Sequence, residues 1–94
     1  MTVTVVLPGV LREAVDGRTE VSVEVEPGSD VRAVLDAMAR TEPTLARRLR
    51  DETGALRRHV NLFVGEDDVR GLGGLGAAVP EGAVLLVLPS VAGG

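Results

Sequence analysis

The chain has 94 residues, enough for one small domain, and its 45% hydrophobic and 26% charged content is a globular balance. It contains no cysteine, and all ten of its basic residues are arginine. That excludes disulfides, thiolate nucleophiles, persulfides and Cys-based metal sites, and also any lysine amine for Schiff-base chemistry or acylation. The net charge of −4 argues against nucleic acid, whose readers carry a basic patch. No 18-residue apolar run and no signal-peptide pattern appears, so a soluble, cytoplasmic chain with no membrane partner is expected. Phe63 is the sole aromatic, so the core must be aliphatic.

Residues 2–7 alternate, with Val3, Val5 and Leu7 on one face and Thr2, Thr4 and Val6 on the other, the period of a half-buried strand. Pro8-Gly9 breaks it, and Asp16-Gly17 favours a tight turn. Residues 19–26 alternate more cleanly, Val21, Val23 and Val25 against Glu20, Ser22, Glu24 and Glu26. This predicts a second strand, antiparallel to the first across a long loop. Its three carboxylates fit a solvated strand face better than an acid/base pair or a cation site.

Pro27-Gly28 ends that strand, and Ser29 or Asp30 suits a helix N-cap. Val31, Val34, Leu35 and Met38 then fall on one helical stripe. The helix should stop near Arg40 or Thr41, because the residue before Pro43 disfavours helix. Pro43 can begin a second, shorter helix with Leu45 and Leu49 inward. Arg47, Arg48, Arg50, Arg57 and Arg58 read as a solvated basic surface with Asp51 and Glu52 interspersed, with a phosphate or partner patch as the other reading.

Val60, Leu62 and Val64 alternate against Asn61 and Phe63, predicting a third strand. His59, at its start, lacks the second His or Cys of a metal site and the Ser-acid partners of a triad. Residues 65–68 read as a turn, with Val69 opening a short return; Asp67 and Asp68 lack the further oxygen ligands of a calcium loop. The run 71–76, GLGGLG, literally matches G-x-G-x-x-G. A dinucleotide site also needs a preceding strand, a helix opening on the glycines and an acid about 20 residues on. Only 18 residues follow Gly76, so this is a loop, with Leu75 and Val79 anchoring it to the core.

A final strand over 83–88 is apolar on both faces, the mark of a central strand. If Leu85 and Val87 face the helix, then Leu86 and Leu88 point outward, beside Phe63 if the two strands are neighbours. Such an outward apolar patch suggests a partner surface of Phe63, Leu86, Leu88 and Pro89. After Pro89 come five small uncharged residues, Ser90, Val91, Ala92, Gly93 and Gly94. Extended, five residues reach about 16 Å, so a tail over 90–94 is expected to project from a domain over 1–89. The element order, strand, strand, helix, short helix, strand, short strand, strand, suits an α+β β-grasp fold. It predicts a mixed sheet of about five strands around one main helix, with the first and last strands parallel at its centre.

The run Leu88-Pro89-Ser90-Val91-Ala92-Gly93-Gly94, the segment 60–70 (VNLFVGEDDVR), Gly73-Gly74-Leu75 and Val3-Thr4-Val5 resemble the bacterial ubiquitin-like sulfur carriers. This is the group of the molybdopterin-synthase small subunit (MoaD) and the thiamine sulfur carrier (ThiS), and the likeness is strongest to the actinobacterial cysteine-biosynthesis carriers (CysO-like). It covers nearly the whole chain. It implies that an E1-like adenylyltransferase/sulfurtransferase uses ATP and Mg to adenylate the Gly94 carboxylate, the carrier itself binding no cofactor. A sulfur donor then displaces AMP, and the thiocarboxylate feeds a sulfur-accepting biosynthetic enzyme that makes cysteine or another sulfur-containing metabolite. Gly93, Ala92 and Val91 would thread the partner's channel, since glycine bends where other residues cannot. The role of a molybdopterin-synthase small subunit is one alternative, and a ubiquitin-like modifier joined to lysines is another of a different class. Some relatives are matured by a metalloprotease, whereas a chain ending at Gly94 is expected to be mature and monomeric when free. No catalytic residue and no metal ligand is expected in the domain.

Overall fold

The sheet is assembled by alternating valines and leucines. In the computed structural model, which describes residues 1–89, strand β1 (Thr2–Val6) pairs antiparallel with β2 (Glu20–Glu24), Val3 opposite Val23 and Val5 opposite Val21. These four valines are buried, while Glu20, Ser22 and Glu24 face water. Strand β5 (Val84–Pro89) lies parallel to β1, Val5 opposite Leu85. On its other edge it runs antiparallel to β3 (Val60–Val64), which in turn pairs with the two-residue β4 (Asp67–Asp68). The resulting order β2-β1-β5-β3-β4 is the mixed five-stranded β-grasp sheet, with the first and last strands side by side.

One face of this sheet is covered by α2 (Val31–Thr41), which buries Val31, Val34, Leu35, Ala37 and Met38. Asp30 is its N-cap, and its carboxylate accepts the Ala33 N–H at 2.9 Å, satisfying an otherwise orphaned first-turn donor. The helix ends ahead of Pro43, whose fixed φ and missing N–H suit the first turn of the next helix, α3 (Pro43–Leu49). Leu45 and Leu49 of α3 complete the core. Among the described residues every buried hydrophobic side chain is Val, Leu, Ala or Met, and no polar side chain is buried. No helix among them is long and apolar enough to cross a membrane.

Two local expectations are corrected. The long loop after β1 contains a short helix, α1 (Gly9–Arg12), continued by a 3-10 turn over Glu13–Val15. Leu11 and Val15, four apart, are both buried; the apparent breakers on either side are this segment's ends. Pro8 is its N-cap, and Asp16 and Gly17 close it with φ of 56° and 83° in the left-handed region. The turn after β3 closes within Gly65-Glu66, so Asp67 and Asp68 are strand. Val69 instead opens a 3-10 turn, Val69–Leu72, capped by the Asp68 carboxylate, which accepts the Arg70 N–H at 2.9 Å. The glycine run carries a further 3-10 turn, Gly74–Gly76, with Val79 buried and Leu75 half-buried against the core.

Adjacent residues on β5 therefore have opposite environments, Val87 being 1% exposed and Leu88 38%. Val87→Asp places an unpaired carboxylate in an aliphatic core at a cost of several kcal/mol, comparable with the whole stability of a domain, about 5–15 kcal/mol. Leu88→Asp should cost about 1 kcal/mol or less. Urea unfolding should find Val87→Asp unfolded or barely folded in water and Leu88→Asp near the parent. The opposite ranking would mean the strand faces are reversed.

Candidate functional site

Residues of β5 that point away from α2 meet their neighbours in fixed pairs. Leu86 lies between Val6 of β1 and Phe63 of β3, Val84 lies opposite Thr4, and Leu88 lies opposite Asn61. The row Val6–Leu86–Phe63 thus crosses three adjacent strands without a polar side chain. It ends at Glu20 on one side, the partner of Val6, and at Asp68 on the other, the partner of Phe63. Above and below the row, Val84 is 44% exposed and Leu88 38%. Leu86 and Phe63 are half-buried, each shielded by the other's strand.

The result is an apolar strip about three strands wide between two acidic borders. Glu24 joins Glu20 on the β2 side, where its carboxylate accepts a hydrogen bond from the Thr2 hydroxyl; on β4 Asp68 alone borders the strip, since Asp67 pairs with Val64 on the other face. The strip leaves large side chains open to water on a domain whose other apolar groups are mostly covered. It fits a protein surface that is apolar at its centre and basic at its rim.

Leu88 and Pro89 close the strand, Pro89 opposite Val60. Proline donates no ladder hydrogen bond, which suits the end of a strand. This end is fixed from the far side by Arg70, whose guanidinium donates to the Asn61 side-chain oxygen at 2.9 Å and to the Val60 carbonyl at 2.8 Å. A longer contact of 3.4 Å reaches the Arg57 carbonyl. Arg70 thereby holds the residues of β3 that pair with Leu88 and Pro89. Sequence reasoning missed it, since a clamp between residues 9 and 10 apart in the chain leaves no periodic signal. Val6, which alternation places on the outward face, and Val84 were not included in the expected partner surface.

Of the residues singled out from sequence, Phe63, Leu86, Leu88 and Pro89 come together at or beside this strip. Val91, Ala92, Gly93 and Gly94 lie outside the described residues. Glu20, Glu24 and Ser22 occupy the exposed outer edge of β2. Among the described residues no three His, Asp or Glu side chains are grouped to hold a metal ion. The strip has apolar area and rim charge but no acid, base or nucleophile held against a cavity.

The ThiS family model matches residues 5–94. The sulfur carrier protein CysO of Mycobacterium tuberculosis is 38% identical over 96 residues, which cover 100% of both chains. A chain of the crystallised BexX/CysO complex of Amycolatopsis orientalis superposes with a TM-score of 0.84 at 37% identity, covering 98% of this chain and 99% of that one. The small archaeal modifier protein 1 of Haloferax volcanii superposes with a TM-score of 0.80 at 28% identity, over 96% of this chain and 98% of that one.

Proposed function

The chain belongs to the ThiS family of ubiquitin-like sulfur carriers and is a carrier, not a catalyst, and from that premise we propose that its Gly94 carboxylate holds the sulfur. In this reading residues 1–89 are the handle and 90–94 the reactive tail. An E1-like enzyme docks on the outer strip of Val6, Phe63, Leu86 and Leu88 and receives the tail. With MgATP, a Gly94 carboxylate oxygen attacks the α-phosphorus and pyrophosphate leaves, giving an acyl adenylate. Hydrosulfide then adds to the acyl carbon and AMP leaves with the bridging oxygen, so one carboxylate oxygen is exchanged for sulfur.

The observation that carries this reading is end-to-end similarity to a sulfur carrier in a chain whose central strand leads straight into the tail. Residue chemistry supports it. Without cysteine or lysine, the side chains offer no thiol or amine to hold sulfur or capture an activated acyl group. Glycine, lacking a stereocentre, cannot epimerise when activated, and it threads a narrow channel. The thiocarboxylate is then surrendered to a sulfur-accepting biosynthetic enzyme. Its product is cysteine or another sulfur-containing metabolite, the molybdopterin-synthase small subunit being the alternative role within the same chemistry. That a relative was crystallised in the BexX/CysO complex supports docking by protein partners.

A second reading has its own support. The fold neighbour from Haloferax volcanii is named a modifier protein, and activation of a terminal glycine serves conjugation to lysines as well as sulfur transfer.

Incubation with the activating enzyme of the same genome, MgATP and sulfide should raise the intact mass by one oxygen-for-sulfur exchange at Gly94. No exchange, under conditions that load a known carrier, would refute the sulfur reading. An anti-carrier immunoblot of cell lysate decides between the two uses of the activated end. A single low band is expected, and a high-mass ladder would establish conjugation.

A further inference from the structure

Where β5 leaves the sheet, a second surface adjoins the strip. Val10 and Leu11 of α1 line a cleft with Leu88 and Pro89 of β5 and with His59. Its volume of about 30 Å³ takes the tip of a side chain and not a cofactor. Val10, at 66%, is the most exposed large hydrophobic side chain among the described residues. It is exposed because α1 turns its other apolar residue, Leu11, into the core.

Val10, Leu11 and His59 also line an adjoining hollow with Arg47, Arg48 and Arg57. Apolar cleft and basic hollow are therefore one continuous surface, and no carboxylate lines either part. The nearest acids compensate it only in part. Glu13 pairs with Arg48 at 2.9 Å with both side chains largely exposed, a pair worth little in water. Asp51 is held below the ordinary aspartate range chiefly by the Thr53 hydroxyl, with the Arg57 charge a smaller cause. Arg57 is oriented by its Nε, which donates to the Arg47 carbonyl at 2.9 Å. On a chain of net charge −4, this surface has the opposite sign to the borders of the strip.

We propose that the cleft and its arginines form a second docking surface, for a protein partner that presents an apolar side chain flanked by carboxylates. The two surfaces share Leu88 at the base of the tail but carry opposite rim charge, so they select partners of opposite surface charge. Complementary charge raises encounter rates and excludes wrong partners more than it adds affinity. A partner of this kind would approach the tail from the α1–α3 side. A polyanionic nucleic acid is the poorer fit, because half the surface is apolar and the rest of the domain repels phosphate. The inference rests on the carrier reading for why a partner comes here, while the surface itself is testable without that reading.

The test is an amide-shift titration of the isotope-labelled full chain with two capped pentapeptides, one a leucine flanked by glutamates and the other a leucine flanked by lysines. The glutamate peptide should move the amides of Val10, Leu11, Arg47 and His59, half-saturating in roughly the millimolar range, with the response lost at about 1 M salt. Val10→Ser and Arg47→Ser, both at exposed positions, should each weaken it about threefold while leaving the remaining amide spectrum in place. Equal response to the lysine peptide, shifts confined to the outer strip, or no shift at about 10 mM would overturn the proposal. So would a uridine oligomer that moves the same amides at lower concentration, in favour of nucleic acid. No activating enzyme is involved, so failure here leaves the sulfur-loading result untouched, and the reverse holds.

Discussion

The structure depends on pairing both edges of β5. A strand in this position has its ladder satisfied on both sides, by β1 in parallel and by β3 antiparallel. It can therefore be apolar on both faces without exposing backbone donors and acceptors. Its inner face, Leu85 and Val87, packs with α2 and the other strands into the aliphatic core. Its outer face, Val84, Leu86 and Leu88, is apolar, with no second layer over it among the described residues. The same pairing holds the end of β5, with Pro89 opposite Val60. A rigid root and an uncovered apolar face thus arise from one arrangement.

That arrangement separates stability from recognition. Burial of Val, Leu, Ala and Met on the α2 side supplies the favourable term, at about 1.5–3 kcal/mol for each large side chain, against about 1–2 kcal/mol of lost backbone entropy per residue. The one aromatic residue is not spent there: Phe63 sits on the outer face beside Leu86. Placing the largest apolar side chain on the outer face, between Leu86 and Asp68, makes little sense for folding alone. It makes sense for docking, where aromatic anchors within a polar rim contribute most. Arg70 braces the end of this face from the side of β3 away from β5, since it holds Val60 and Asn61 where β5 pairs with them.

Most of the fold was legible because period 2 and period 3.6 are local signals. The valines of β1 and β2, the stripe from Val31 to Met38 and the stop before Pro43 each announce themselves within a dozen residues. The parallel partnership of β1 and β5 followed only from element order, yet the register places Val5 beside Leu85. What escaped was short or distant. α1 is one turn long and flanked by Pro8 and Gly17, residues that read as breakers until the structure shows them as ends. β4 is two residues set by the tight turn at Gly65. The Arg70 clamp reaches across a turn to residues 9 and 10 back, the cleft between α1 and β5 joins segments far apart in sequence, and no periodicity encodes either. The expectations for Val91, Ala92, Gly93 and Gly94 lie outside the described residues and rest on residue chemistry and family membership.

The central claim is that a stable handle presents one reactive carboxylate at a set distance. Removing Gly94 alone tests it most directly, since this shortens the reach by about 3.3 Å without touching the domain. Thiocarboxylate formation by the activating enzyme should fall about a hundredfold or more, the scale of loss when a reacting group is misplaced, while the thermal unfolding midpoint stays at the parent value. Loading of the shortened chain at the full rate would contradict the account.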